Sequence, residues 1–148
     1  MGDRCNVSGI WVHWTNAKTE ISIRTEGFNP KRIKKSFLGT ALYTVRQGQR
    51  WMNLPNFIEF RVQLRPEEVM ADFKSSSATG TTYTHVFWYL KEQGLDAYKT
   101  TRGGSEKYNL AIRDHFLGKK IKAIRFDENG SDVLAIYDTS CVQMNPKI

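Results

Sequence analysis

The chain has 148 residues, with 22 Lys and Arg against 15 Asp and Glu for a formal net charge of +7, and 40% hydrophobic residues. That length fits one domain spanning residues 1–148 that buries a normal core, and with only two cysteines, Cys5 and Cys141, near opposite ends, no disulfide framework is indicated. No apolar run approaches the roughly 20 residues of a membrane span, and Met1-Gly2-Asp3-Arg4-Cys5-Asn6 has no apolar signal region, so no membrane association and a cytoplasmic compartment are expected.

In chain order, Ile10 to Trp14 is a short apolar strand that carries His13 and is followed by Thr15. An amphipathic segment then closes in Gly27-Phe28-Asn29-Pro30, and Lys31-Arg32-Ile33-Lys34-Lys35 is a basic run. A second strand covers Ala41 to Val45, with Tyr43 alternating against Ala41 and Val45 at strand period. Taken alone, His13 is a satisfied, partly buried histidine, Tyr43 a core strand residue and Trp51 a plug over the core.

Phe57 to Leu64 alternates cleanly and reads as an amphipathic strand closed by Arg65-Pro66. Glu67 to Phe73 is a short helix candidate with Pro66 near its start, and Lys74 to Thr82 is a polar loop. Tyr83 to Gln93 is a helix, apolar at Val86, Phe87, Tyr89 and Leu90 and stopped by Gly94. Strands are expected again at Asn109 to Arg113 and Val133 to Tyr137. In Lys119 to Arg125 the alternation of Lys120, Lys122 and Arg125 with Ile121, Ala123 and Ile124 reads as one wet strand face. Together with the first basic run it forms a surface for polyanions, or simply a solvated one.

No Cys/His spacing fits zinc, and neither a Gly-x-x-x-x-Gly-Lys-Ser/Thr loop nor a Gly-x-Ser-x-Gly elbow is present. The commonest motif-bearing enzymes are thereby excluded, and no metal is expected.

The ordered set His13-x-Thr15, Gly27-Phe28-x-Pro30 and Leu42-Tyr43-Thr44 resembles the nicotinamide-binding half of the ADP-ribosyltransferase family, bacterial and phage members in particular, which are distantly similar to the poly(ADP-ribose) polymerase catalytic domain. Gly94-Leu95-Asp96-Ala97-Tyr98 and the segment ending in Asp114 extend the resemblance across roughly residues 10 to 145. It implies an α+β fold of two small, mostly antiparallel sheets around a cleft, with few helices. It also implies that His13 and Thr15 hold the riboside of NAD, which serves as substrate, while Tyr43 and Trp51 flank the nicotinamide. Trp14 departs from the family, which places a small residue between the His and the hydroxyl. His13 and Tyr43 should then face one cavity, with Trp51 at its edge.

The family's catalytic Glu has no direct counterpart. Counting back from Asp114 places Asn109 in its slot, with Glu106 the nearest acid; counting back from Asp138 places Val133 there, with Asp132 adjacent. A one-residue slip reverses a strand side chain, so Glu106 is the expected catalytic acid and Asp132 is expected off the site. The resemblance implies a mono-ADP-ribosyltransferase, toxin-like or phage-encoded, that modifies a nucleic-acid or protein acceptor. The alternative is an inactive module of the same fold that binds nucleic acid, a partner protein or an NAD-derived ligand, with Trp11, Trp14, Trp51 and Trp88 as candidate stacking residues.

Overall fold

A computed structural model describes residues 5–29, 38–50, 53–71, 73, 82–95, 106–128 and 130–145. Among them are the strands β1 (Gly9–Thr15), β2 (Leu42–Arg46), β3 (Asn56–Val62), β4 (Val69–Met70), β5 (Ala123–Glu128), β6 (Ser131–Ile136) and β7 (Val142–Met144), with helices α1 (Ala17–Glu26), α2 (Tyr83–Glu92) and α3 (Glu106–Gly118). The strands form one seven-stranded sheet in the order β4-β5-β6-β2-β1-β3-β7. Every neighbouring pair is antiparallel except β4 with β5, whose register is Val69↔Ala123. The expected α+β class is therefore observed, but the expectation of two sheets is corrected: β1 pairs with both β2 and β3 and joins the halves into one.

Strand alternation sends apolar side chains to both faces. On one, Val12, Val45, Ile124, Phe126, Val133 and Ala135 pack with α2 and α3 through Val86, Leu90, Ile112 and Phe116. Phe116 stacks on Tyr137 at 5.1 Å and on Tyr89 at 5.8 Å, an aromatic pile that fixes α2 and α3 against the sheet. On the other face, Trp11, Leu42, Ile58, Phe60, Leu134 and Ile136 form a second core that also takes in Val69 of one edge strand and Val142 of the opposite edge. Edges that meet in one cluster require the sheet to curl around it. Ile23 brings α1 into this same core.

Helix ends follow local chemistry. Asn16 accepts the Thr19 amide at 2.8 Å and starts α1. Gly94, at φ +80°, ends α2, with the Leu95 amide bonded to the Leu90 carbonyl at 2.8 Å and the Gly94 amide to the Lys91 carbonyl at 3.0 Å. The same double bond closes α3, where Lys120 takes the left-handed position at φ +62°.

Three expectations are overturned. Asn109 to Arg113 lies inside α3. Tyr108, Leu110 and Ile112 fit a strand over a short window, but the deeply buried positions are Asn109, Ile112 and Phe116, a helical spacing that wins over the longer one. The helix expected from Glu67 to Phe73 is a single 3-10 turn, Pro66–Glu68, followed by β4. There the Glu68 carboxylate caps the Arg65 amide at 2.9 Å, and Val69 turns extended to pair with β5. Arg125 is not on a wet face but only 4% exposed. The polar loop from Lys74 to Thr81 lies outside the described residues.

Candidate functional site

β1 pairs with β3 along its whole length, from Gly9↔Val62 to Thr15↔Asn56. Its ladder with β2 has only the pairs Trp11↔Arg46 and Val12↔Val45. Beyond Val12 the two strands part, while β2 stays paired with β6 to Leu42↔Ile136. Where the pairing stops, the His13 ring takes its place, with Nδ1 2.8 Å from the Tyr43 carbonyl oxygen. A carbonyl accepts only, so Nδ1 carries the proton and a neutral ring keeps Nε2 as an acceptor. Burial pushes the His13 pKa below its ordinary value, partly opposed by that carbonyl bond, so the neutral form is favoured.

The His13 face carries a connected polar group. Phe28 meets the His13 ring edge-on at 6.1 Å. Thr15 is buried and faces Asn56 across the ladder, and Asn56 donates to Glu20 at 2.9 Å. Glu20, 5% exposed, also accepts from Arg24 at 2.8 Å. Arg24 in turn reaches the Asn145 and Phe57 carbonyls, tying α1 to the sheet. Glu20 is a buried acid that the sequence motifs do not single out. Its signal is an acid four residues before an arginine in the segment between His-x-Thr and Gly-Phe-x-Pro.

Tyr43 points the other way. Its ring packs in the core beneath α2 and α3, and its hydroxyl accepts from the Leu38 amide at 2.9 Å and donates to the Gly39 carbonyl at 2.6 Å. Tyr137 donates to the Leu38 carbonyl at 2.5 Å, and the Thr40 amide donates to the Asn109 carbonyl at 3.1 Å. Four bonds thus clamp the buried 38–40 segment that leads into β2. Gly39 is required there: at φ +95° a Cβ would lie 2.8 Å from Ile112 Cγ2. His13 and Tyr43 are therefore joined through a main-chain carbonyl, while their side chains occupy opposite faces of the sheet, so the expectation that both face one cavity is corrected.

The acid candidates divide similarly. Glu106 opens α3 and its side chain lies outside the described ones, as does all of Trp51. Asn109 is buried in α3, with Oδ1 unpartnered among the described residues. Val133 is fully buried. Asp132 accepts from Arg125 Nε at 2.9 Å and Nη2 at 2.7 Å, and from Arg46 Nε at 3.0 Å, while its amide donates to Gln49 at 2.8 Å. Both guanidiniums flank the Trp11 ring, at 5.5 and 5.9 Å from its centroid. Beside them an open pocket of about 270 Å³ is lined by Asn6, Ser8, Trp11, Arg46 and Gln47 among others.

Among the described residues no group of three or more His, Cys, Asp and Glu is placed to hold a metal, and no helix is long and apolar enough to cross a membrane. No family model, curated protein or solved structure matches the chain.

Proposed function

We propose that the chain is an ADP-ribosyltransferase-like module that binds NAD or an NAD-derived ligand by its nicotinamide riboside, at the opened end of β1. The observation that carries this is His13, which sits where the β1–β2 ladder stops and spends Nδ1–H on the Tyr43 carbonyl. A neutral imidazole fixed in that tautomer offers Nε2 to a donor such as a ribose hydroxyl. The order of elements supports the same ligand, since His13-x-Thr15, α1, Gly27-Phe28 and β2 follow one another as in the resemblance, with the Tyr43 side chain on the other face and no part of this site.

Cleaving the nicotinamide bond builds positive charge at the ribose carbon, which a fixed carboxylate stabilises by about 10²- to 10³-fold in rate. Of the acid positions, Val133 is apolar and buried, Asn109 is helical, and both Asp132 oxygens are held by arginines. These favour the binding module over the transferase, whose remaining acid is Glu106.

Calorimetry with NAD and chromatography of released nicotinamide test the two together. NAD binding weakened about tenfold or more by His13→Ala, without nicotinamide release, is expected; tenfold corresponds to about 1.4 kcal/mol. Nicotinamide release that disappears in Glu106→Gln would restore the transferase. Absence of binding to NAD, ADP-ribose and nicotinamide riboside alike would overturn the ligand class.

A further inference from the structure

Among the described residues two large apolar side chains are exposed, Ile21 at 66% and Phe57 at 46%. Ile21 stands on α1, whereas Phe57 belongs to an organised group. It lies opposite Trp14 across the β1–β3 ladder, with ring centroids 5.1 Å apart. The Arg50 guanidinium covers the Trp14 ring at 5.0 Å from its centroid, and the Trp14 indole nitrogen is anchored to the Gln49 carbonyl at 2.8 Å. The Trp14 ring is thus held before any ligand arrives, the Phe57 ring stands tilted to it by 48° as the exposed apolar face, and the exposed end of the group is cationic. Arg61 follows on the same face of β3, four residues and so about 13 Å from Phe57, exposed and without a carboxylate partner among the described residues.

We propose that Phe57, backed by Trp14 and Arg50, is a stacking platform for an unpaired base of single-stranded nucleic acid, with Arg50 and Arg61 meeting the adjoining phosphates. The platform lies on the sheet face opposite the His13 ring and does not depend on what that ring binds. Charge complementarity commits it to a polyanion, because exposed Arg50 and Arg61 outweigh Glu59 on this face, in a chain of net charge +7. The flat rings select among polyanions: bases stack on aromatic and guanidinium planes, whereas an acidic peptide uses the arginines and gains nothing from Phe57. A duplex hides its base faces and is the poorer ligand. Glu59 lies between Phe57 and Arg61 on that face, held by Gln47 at 3.1 Å, and opposes the phosphates.

The test is fluorescence anisotropy with a labelled oligouridine of about 12 nucleotides, a length within the usual range of such sites. Binding should weaken as salt rises, and Phe57→Ser should reduce affinity roughly 5- to 150-fold, the range of one lost base stack. Phe57→Trp should retain it, Glu59→Gln should tighten it, and Ile21→Ser should match the parent. Arg50→Ala should weaken binding and lower the salt slope by about one. Circular dichroism of Phe57→Ser guards against a folding defect, and retention by Phe57→Trp gives a second readout. Equal affinity for a duplex or for polyglutamate, parental affinity in Phe57→Ser, or no binding to the oligonucleotide would each overturn the platform.

Discussion

β1 has two neighbours of unequal quality. With β3 it forms an unbroken ladder from Gly9↔Val62 to Thr15↔Asn56; with β2 it forms two pairs and then separates. Along the first edge, main chain satisfies main chain. Along the second, side chains take over: the His13 ring serves the Tyr43 carbonyl, and the Tyr43 and Tyr137 hydroxyls serve the 38–40 turn. Buried backbone groups must find partners, so an opened ladder is stable only where such side chains replace it. The β2 side therefore depends on a few named side chains, whereas the β3 side is held by main-chain pairing along its whole length.

The largest effect is expected on the β2 side, from Asp132→Ala. It removes the bidentate partner of the Arg125 guanidinium, which is only 4% exposed. Breaking a buried pair by removing one member costs about 3–5 kcal/mol, readable by urea unfolding. Replacing both partners, Arg125→Met with Asp132→Leu, should recover most of the loss. A loss below about 1 kcal/mol for Asp132→Ala would mean that this half does not rely on the pair.

Gly39→Ala comes next. The new methyl meets Ile112 at 2.8 Å in a left-handed backbone conformation, so α3 must move away from the 38–40 segment. About 1–3 kcal/mol of destabilisation is expected from such overpacking, with shifted NMR signals for Tyr43 and Tyr137. Unchanged tyrosine signals would uncouple that segment from α3.

The pH response sharpens the comparison further. The pKa of His13 is lowered chiefly by burial, and that of His115 by burial and then by Lys119. A histidine depressed in the folded state binds its proton more readily when unfolded. Its contribution is therefore complete above the unfolded value near 6.5 and is lost as pH falls from there through the folded value. Urea midpoints measured between pH 7.5 and 5 should fall, and His13→Gln should flatten the fall. An unaltered slope would place the sensitivity on the α3 side, at His115.

The smallest effect is a gain. Lys120→Gly relieves a left-handed lysine at φ +62° at the end of α3 and should add about 0.5–1 kcal/mol while leaving both ladders of β1 unchanged.

Much of this architecture is legible in the residues. Alternation gives β1, β2, β3 and β6 nearly to their ends, and Gly94 marks the end of α2. Asn109 to Arg113 misleads because five residues with apolar Leu110 and Ile112 fit both periods; only Phe116, further on, decides for the helix. Arg125 misleads because alternation predicts which face a side chain takes and not whether that face is covered, and the partner that buries it, Asp132, comes from the next strand. At the candidate site, His13-x-Thr15 marks where the β1–β2 pairing stops. Glu20 is not visible from motifs because its role follows from a tertiary contact with Asn56.

Whether the end of β1 holds the proposed ligand is tested most directly by an NMR titration of isotope-labelled protein with NAD, followed at backbone amides and at the His13 ring. A shift of the His13 ring is expected together with amide shifts concentrated at residues 13–15 and 42–44, and little change along β3. Shifts confined to the pocket at Asn6, Trp11 and Arg46, or no shifts at saturating NAD, would contradict it.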